Sequence, residues 1–98
     1  MIPELQRAVG HGPVHFIGIG GISMSGLAQI LLDQGIPVTG SDRTDSPVLD
    51  HLRKLGAHIG VPHDPALIST QTLVVYTAAI SEDNAELVAA RQKGLPLM

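Results

Sequence analysis

The chain contains no cysteine, which excludes a disulfide framework, thiol catalysis and cysteine-ligated zinc, and suits a reducing compartment. It is also short of charge. Asp, Glu, Lys and Arg make up 15% of its 98 residues, and the formal net charge is -3. No basic stripe stands ready to neutralise a phosphate backbone, so nucleic acid is not an expected partner. No apolar run approaches the roughly 20 residues of a membrane helix, so no membrane span is expected. Met1–Gly12 lacks the basic-then-apolar pattern of a signal peptide, and a cytoplasmic protein is expected. The five histidines, His11, His15, His51, His58 and His63, form no pair with ligand spacing on a helix face and have no carboxylate cluster beside them, so no metal site is expected. No serine, histidine and acid stand in an elbow arrangement for nucleophilic catalysis, and no catalytic residue is expected.

What is present is 44% hydrophobic residues, in a length that suits one globular domain with a modest core. After a polar lead-in ending in "GHGP", Val14 to Ile19 is an apolar run closed by glycine, which reads as a buried parallel strand. From Gly21 the period changes. Met24, Leu27, Ala28 and Leu31 share one helical face, and Gly35 stands where that helix ends. "IPVTGSD" gives a second strand with Asp42 just past its end. Ser46-Pro47 then reads as an N-cap and first helical residue, with Val48, Leu52 and Leu55 as the apolar face of a helix stopping at Gly56.

"AHIGV" is a brief third strand, "DPALIS" a single helical turn, and "TLVVYTAAI" from Thr72 the most strand-like segment. Ser81 to Asn84 offers capping oxygens for a third helix, with Leu87, Val88 and Arg91 along it and Gly94 at its end. "LPLM" begins a fifth strand, and "QGIPV" and "KGLPL" mark two matching returns from helix to strand. The alternation predicts an α/β fold with a parallel sheet of about five strands and right-handed crossovers. The carboxyl ends of those strands should carry the ligand. The glycine loop, Asp42 and "TAAI" all fall on that edge.

Free amides at a helix N-terminus bind phosphate oxygens when no side chain obstructs them, and "GIGGISMSG" supplies that opening. Gly18 is expected to permit the tight turn, Gly20 to let a diphosphate approach the main chain, and Gly21 or Gly26 to allow close packing of helix on strand. The G-x-G-x-x-G fingerprint of dinucleotide sites is imperfect, because Ser23 stands at its third glycine. The same glycines could serve turn and packing geometry alone. Asp42 lies where an acid accepts from a ribose hydroxyl, or it is a strand-end turn residue. His63 either faces the ligand or is an ordinary loop histidine. A nicotinamide-binding domain of an oxidoreductase and a regulatory nucleotide-sensing module are the alternatives these residues leave open.

"HFIGIGGISMSGLAQILLDQGIPVTGSD", "LGAHI" and "VVYTAAISEDNAELVAARQKGLP" resemble, in order and spacing, the N-terminal domain of the Mur ligase family, and within it the members that add L-alanine to UDP-N-acetylmuramic acid. The related murein peptide ligases share the outline but look less similar in the glycine loop and at "YTAAI". The family usually carries glycine at the position of Ser23. The resemblance implies a Rossmann-like, three-layer α/β/α domain at 14–98, binding the UDP part of UDP-N-acetylmuramic acid, behind a flexible lead-in at 1–13. Gly18, Gly20, Gly21, Ile22, Ser23 and Met24 would then surround the diphosphate. Ser41 and Asp42 would sit by the uridine. Thr77, Ala78, Ala79 and Ile80 would line the opposite wall, with Asn84 and His63 near the nucleotide or sugar. In the family, ATP and Mg act in a following central domain, where the lactyl carboxylate is phosphorylated and alanine attacks the acyl phosphate. The phosphate loop of that domain is not in this sequence. The central and C-terminal domains are therefore expected to lie outside the chain, which alone should bind no cofactor and form no amide bond in its bacterial cytoplasm.

Overall fold

The computed structural model describes residue 10 and residues 12–98. His11 and most of the expected lead-in lie outside the described residues. Four parallel strands form the sheet: β1 (Val14–Ile17), β2 (Val38–Ser41), β3 (His58–Gly60) and β4 (Leu73–Val75), in the order β3-β2-β1-β4. Three helices alternate with them: α1 (Ile22–Asp33), α2 (Pro47–Lys54) and α3 (Ala85–Gln92), and a 3-10 turn at Pro65–Leu67 precedes β4. The chain runs outward from β1 to β3 and then returns to the other side of β1, so the direction of winding reverses between β1 and β4.

Both faces of the sheet are covered, which is why every residue of β1 is buried. Val14 and Phe16 join Ala28, Leu31, Leu49 and Leu52 in one apolar cluster under α1 and α2. On the other face Ile17 and Val74 meet Ile68, Leu87 and Ala90 under the 3-10 turn and α3. The layers are therefore α/β/α, as expected. "LPLM" adds the start of a fifth strand: Leu97 bridges to Val74, with the Met98 amide donating to Val74 O at 2.9 Å.

Helix α2 shares only Leu52 with the inward face its apolar spacing suggested, and α3 buries only one of the three residues read along it. In α2, Leu49 and Leu52 are buried, whereas Val48 and Leu55 are exposed. In α3 the buried residues are Glu86, Leu87 and Ala90, while Val88 and Arg91 are exposed. Eight-residue helices present little more than two turns, so a one-residue phase error moves the whole face. β1 ends at Ile17 rather than Ile19, and β4 ends at Val75, because both chains turn there into the loops of the carboxyl edge. Nor does Gly21 or Gly26 pack a helix on a strand: a Cβ on Gly26 would meet nothing within 4 Å, and one on Gly21 would make only ordinary contact. Close approach is required instead at Gly40 in β2, where a Cβ would lie 2.6 Å from Cδ1 of Ile19 in the loop after β1.

Candidate functional site

The loop joining β1 to α1 is tied down by its own first amides. Gly18 and Ile19 N–H both donate to Ser41 O, at 2.9 and 3.0 Å, and Gly21 N–H donates to Gly18 O at 3.1 Å. Gly18 has φ +83, in the left-handed region that favours glycine, and a Cβ there would sit tightly, 3.3 Å from Ile80 Cδ1. Helix α1 then starts from Gly21 with no side-chain cap and no acidic residue in its first turn. The first backbone bond into the helix is Ser25 N–H to Gly21 O at 2.8 Å. The amides of Ile22, Ser23 and Met24 are thus left without a protein acceptor among the described residues, at the positive end of the helix dipole.

These amides open onto a cleft of about 390 Å³ at the reversal of winding between β1 and β4, where ligands of open parallel sheets bind. It is lined by Gly18, Gly21, Ile22, Ser23 and Met24 on one side, by Asp42 at the end of β2, and by Thr77, Ala79 and Ile80 after β4. The opposite wall is a turn closed by Ile80 N–H to Thr77 O at 3.0 Å. Ile17 lines the floor as well, a position the sequence reading had assigned to the core alone. Ile22 is 94% exposed at the rim.

Five of the expected site residues are placed otherwise. Gly20 is in the loop, but its N–H donates to Asp42 Oδ2 at 2.8 Å, and a Cβ on it would lie 2.7 Å from that oxygen. Its open side is therefore filled by the Asp42 carboxylate, whose Oδ1 accepts from Arg43 N–H at 2.7 Å. Ala78 is exposed and does not line the cleft. Asn84 caps α3, its side chain accepting from Glu86 and Leu87 N–H at 2.9 and 3.3 Å. Ser41 is fully buried and His63 partly so, and the two are joined to each other rather than to the cleft.

That junction belongs to a buried polar network that sequence reasoning missed. Glu86, fully buried, accepts from His15 Nε2 at 2.6 Å, from Ser41 Oγ at 2.8 Å and from Asp64 N–H at 2.8 Å. His15 Nδ1 lies 2.7 Å from Thr39 Oγ1, and Ser41 Oγ lies 2.7 Å from His63 Nδ1. Burial pushes the Glu86 carboxyl up, but the hydrogen bonds from His15, Ser41 and Asp64 outweigh it and hold the group below its ordinary value. No buried side-chain polar atom among the described residues lacks a partner. The signal for this network was His15 itself, a polar side chain inside the wholly buried strand VHFI, which requires a buried partner.

Among the described residues no cluster of His, Asp and Glu is placed to hold a metal ion, and no helix is long and apolar enough to cross a membrane. With this geometry in view, comparisons with known proteins agree. Residues 13–98 match the model of the Mur ligase family, catalytic domain. The chain is 54% identical over 85 residues to the UDP-N-acetylmuramate–L-alanine ligase of Clostridium acetobutylicum, covering 87% of this chain and 19% of that protein. It is 52% identical over 87 residues to the enzyme of the same name from Caulobacter sp. strain K31, covering 89% of this chain and 18% of the relative. The crystal structure of UDP-N-acetylmuramate-alanine ligase MurC from Thermotoga maritima superposes with a TM-score of 0.84 at 40% identity, covering 89% of this chain and 20% of that one. A murein peptide ligase from Psychrobacter arcticus gives 0.80 at 28% identity, over 87% of this chain and 18% of that one. The chain spans about a fifth of the length of the relatives it matches. All of these are ligases by name, and an oxidoreductase assignment finds no support among them.

Proposed function

The chain belongs to the Mur ligase family, and from that premise we propose that residues 14–98 bind the UDP part of UDP-N-acetylmuramic acid. The diphosphate lies on the amides of Ile22, Ser23 and Met24, with Gly18 and Gly21 keeping the approach clear and the Gly20 amide held by Asp42. Asp42 serves the uridine end, Thr77, Ala79 and Ile80 form the opposing wall, and His63 stands near the nucleotide or sugar. The observation that carries this reading is the uncapped first turn of α1, with three unpaired amides facing a cleft at the reversal of winding. In the longer protein, this domain delivers the lactyl carboxylate to ATP and Mg held by a following domain. L-alanine then attacks the acyl phosphate, in the bacterial cytoplasm. The chain alone supplies binding and no chemistry.

An NMR titration of the chain with UDP-N-acetylmuramic acid, UDP and NAD tests the reading. Shifts should concentrate at residues 18–24, at Asp42 and at residues 77–80, with the two uridine ligands and not with NAD. A preference for NAD, or saturating shifts elsewhere, overturns it.

A further inference from the structure

The network beneath the sheet edge fixes the positions of its protons. An ionised carboxylate only accepts, so Glu86 takes the Nε2 proton of His15 and the hydroxyl proton of Ser41. Ser41 has one proton, and with that proton on Glu86 its oxygen can only accept at the 2.7 Å contact with His63 Nδ1. His63 must therefore carry its proton on Nδ1, although a free imidazole side chain favours Nε2. His63 Nδ1 also lies 3.5 Å from Glu86 Oε2, the side chain is 15% exposed, and Nε2 has no protein partner among the described residues. Ser41 directly precedes Asp42, which lines the cleft.

We propose that Glu86 is a positioning residue: through Ser41 it holds His63 with its proton on Nδ1, so that Nε2 is an acceptor for a hydroxyl or N–H donor of the bound nucleotide sugar. The identity of the donor's molecule rests on the proposed binding function; the proton arrangement does not. The inward placement of Glu86 follows from the Asn84 cap, which fixes the first turn of α3, and from the Asp64 amide, which anchors the loop carrying His63 to Oε2 of the same carboxylate.

Glu86→Gln reverses the relay. The backbone N–H of Asp64 cannot change its role, so it keeps the amide oxygen, and the NH2 group faces His15 and Ser41. His15 can meet that donor by moving its own proton to Nδ1, towards Thr39. Ser41 then accepts from the amide, and its own buried proton is satisfied by donating to His63 Nδ1, 2.7 Å away, which leaves the His63 proton on Nε2.

Long-range nitrogen–proton spectra of the histidine rings, recorded where an ordinary imidazole is neutral, read this directly. The parent chain should show His63 protonated on Nδ1, and folded Glu86→Gln should show it on Nε2. A parent proton on Nε2 overturns the proposal with no variant needed, so the test survives a Glu86→Gln chain that fails to fold. An unchanged tautomer in the folded variant also overturns it. UDP-N-acetylmuramic acid should bind Glu86→Gln about tenfold more weakly, as one hydrogen bond is lost. Equal affinity with a reversed tautomer overturns the role in binding. The expected tautomers in a chain that binds no nucleotide sugar uphold the positioning and overturn the binding function.

Discussion

Two of the three helices that begin at the carboxyl edge of the sheet treat their first turns in opposite ways. Helix α3 is closed: Asn84 caps two of its amides, and Glu86 turns inward to satisfy His15, Ser41 and Asp64. Helix α1 is open, starting from a glycine with no cap and with three amides unpaired. Both obey the same rule, that backbone and buried polar groups must find partners. The closed turn finds them within the chain, so it holds the fold together. The open turn leaves them to water or to a ligand, so it is where binding can be added without unmaking anything.

The sharpest way to test the contrast is to remove the closed turn's carboxylate. Glu86→Leu fills a similar volume but strands the His15, Ser41 and Asp64 donors in a buried site. Each buried donor left without an acceptor costs about 1–3 kcal/mol, together a large part of the about 5–15 kcal/mol that stabilises a small domain. Urea unfolding should show the loss as a lower midpoint. A midpoint within experimental error of the parent's would mean that the network is solvated and that α3 is no more closed than α1.

Gly20→Val tests the open turn. Its Cβ would lie 2.7 Å from Asp42 Oδ2 and 3.4 Å from Leu49 Cδ2. The flexible carboxylate would have to leave the Gly20 amide, and the branched side chain would take the space in front of the loop. The packed face of α1, with Ala28 and Leu31 buried, is left alone. UDP-N-acetylmuramic acid binding should weaken by roughly two orders of magnitude, the equivalent of losing two charge-assisted hydrogen bonds, while the urea midpoint falls less than in Glu86→Leu. Calorimetry that finds parental affinity in the folded variant would reduce the loop to a packing device.

Acid separates the two turns again. Glu86 has its carboxyl held below the ordinary value of 4.5 by its hydrogen bonds from His15, Ser41 and Asp64, against the upward push of burial. A carboxyl lowered on folding contributes stability that is fully present above its unfolded value and is lost as pH falls through the folded one. Unfolding free energy measured against pH should therefore decline below about pH 4.5 in the parent, and less steeply in Glu86→Gln, which has no proton to gain there. Parallel curves would show that other carboxylates govern the decline.

How much of this was readable beforehand differs between the two turns for the same physical reason. The open turn is built from backbone demands, and those leave marks in sequence: Gly18 at a positive φ, the change of period at Gly21, and Asp42 at a strand end. The 12 residues of α1 also gave apolar spacing enough turns to set its phase, and the returns at Gly35 and Gly94 stand where the repeated "GIPV" and "GLPL" put them. The closed turn depends on a carboxylate meeting a histidine 71 residues away. Apolar spacing gives no reason to turn Glu86 inward, because it has no knowledge of the partner that makes the buried charge tolerable. Ser41 and Asn84, placed near the ligand by resemblance, have side chains engaged by His63, Glu86 and the helix cap, and no local pattern marks those partners.

Ser23→Gly is the mildest change and asks how open the open turn already is. Ser23 is exposed at the second position of α1, it lines the cleft, and only its backbone amide is assigned to the ligand. Its hydroxyl makes no hydrogen bond to another described residue. Replacing it with glycine, the residue usual in the family, leaves the amide where it is and removes a side chain that neither caps the helix nor fills the core. The helix loses some intrinsic propensity, about 0.5 kcal/mol at most in so early a turn, which is small beside the cost expected at Glu86. Affinity for UDP-N-acetylmuramic acid should stay within several-fold of the parent, since the amide contacts are retained. If calorimetry instead finds more than a tenfold loss, the Ser23 hydroxyl is itself a donor to the diphosphate, and the first turn of α1 reads its ligand through a side chain as well as through its backbone.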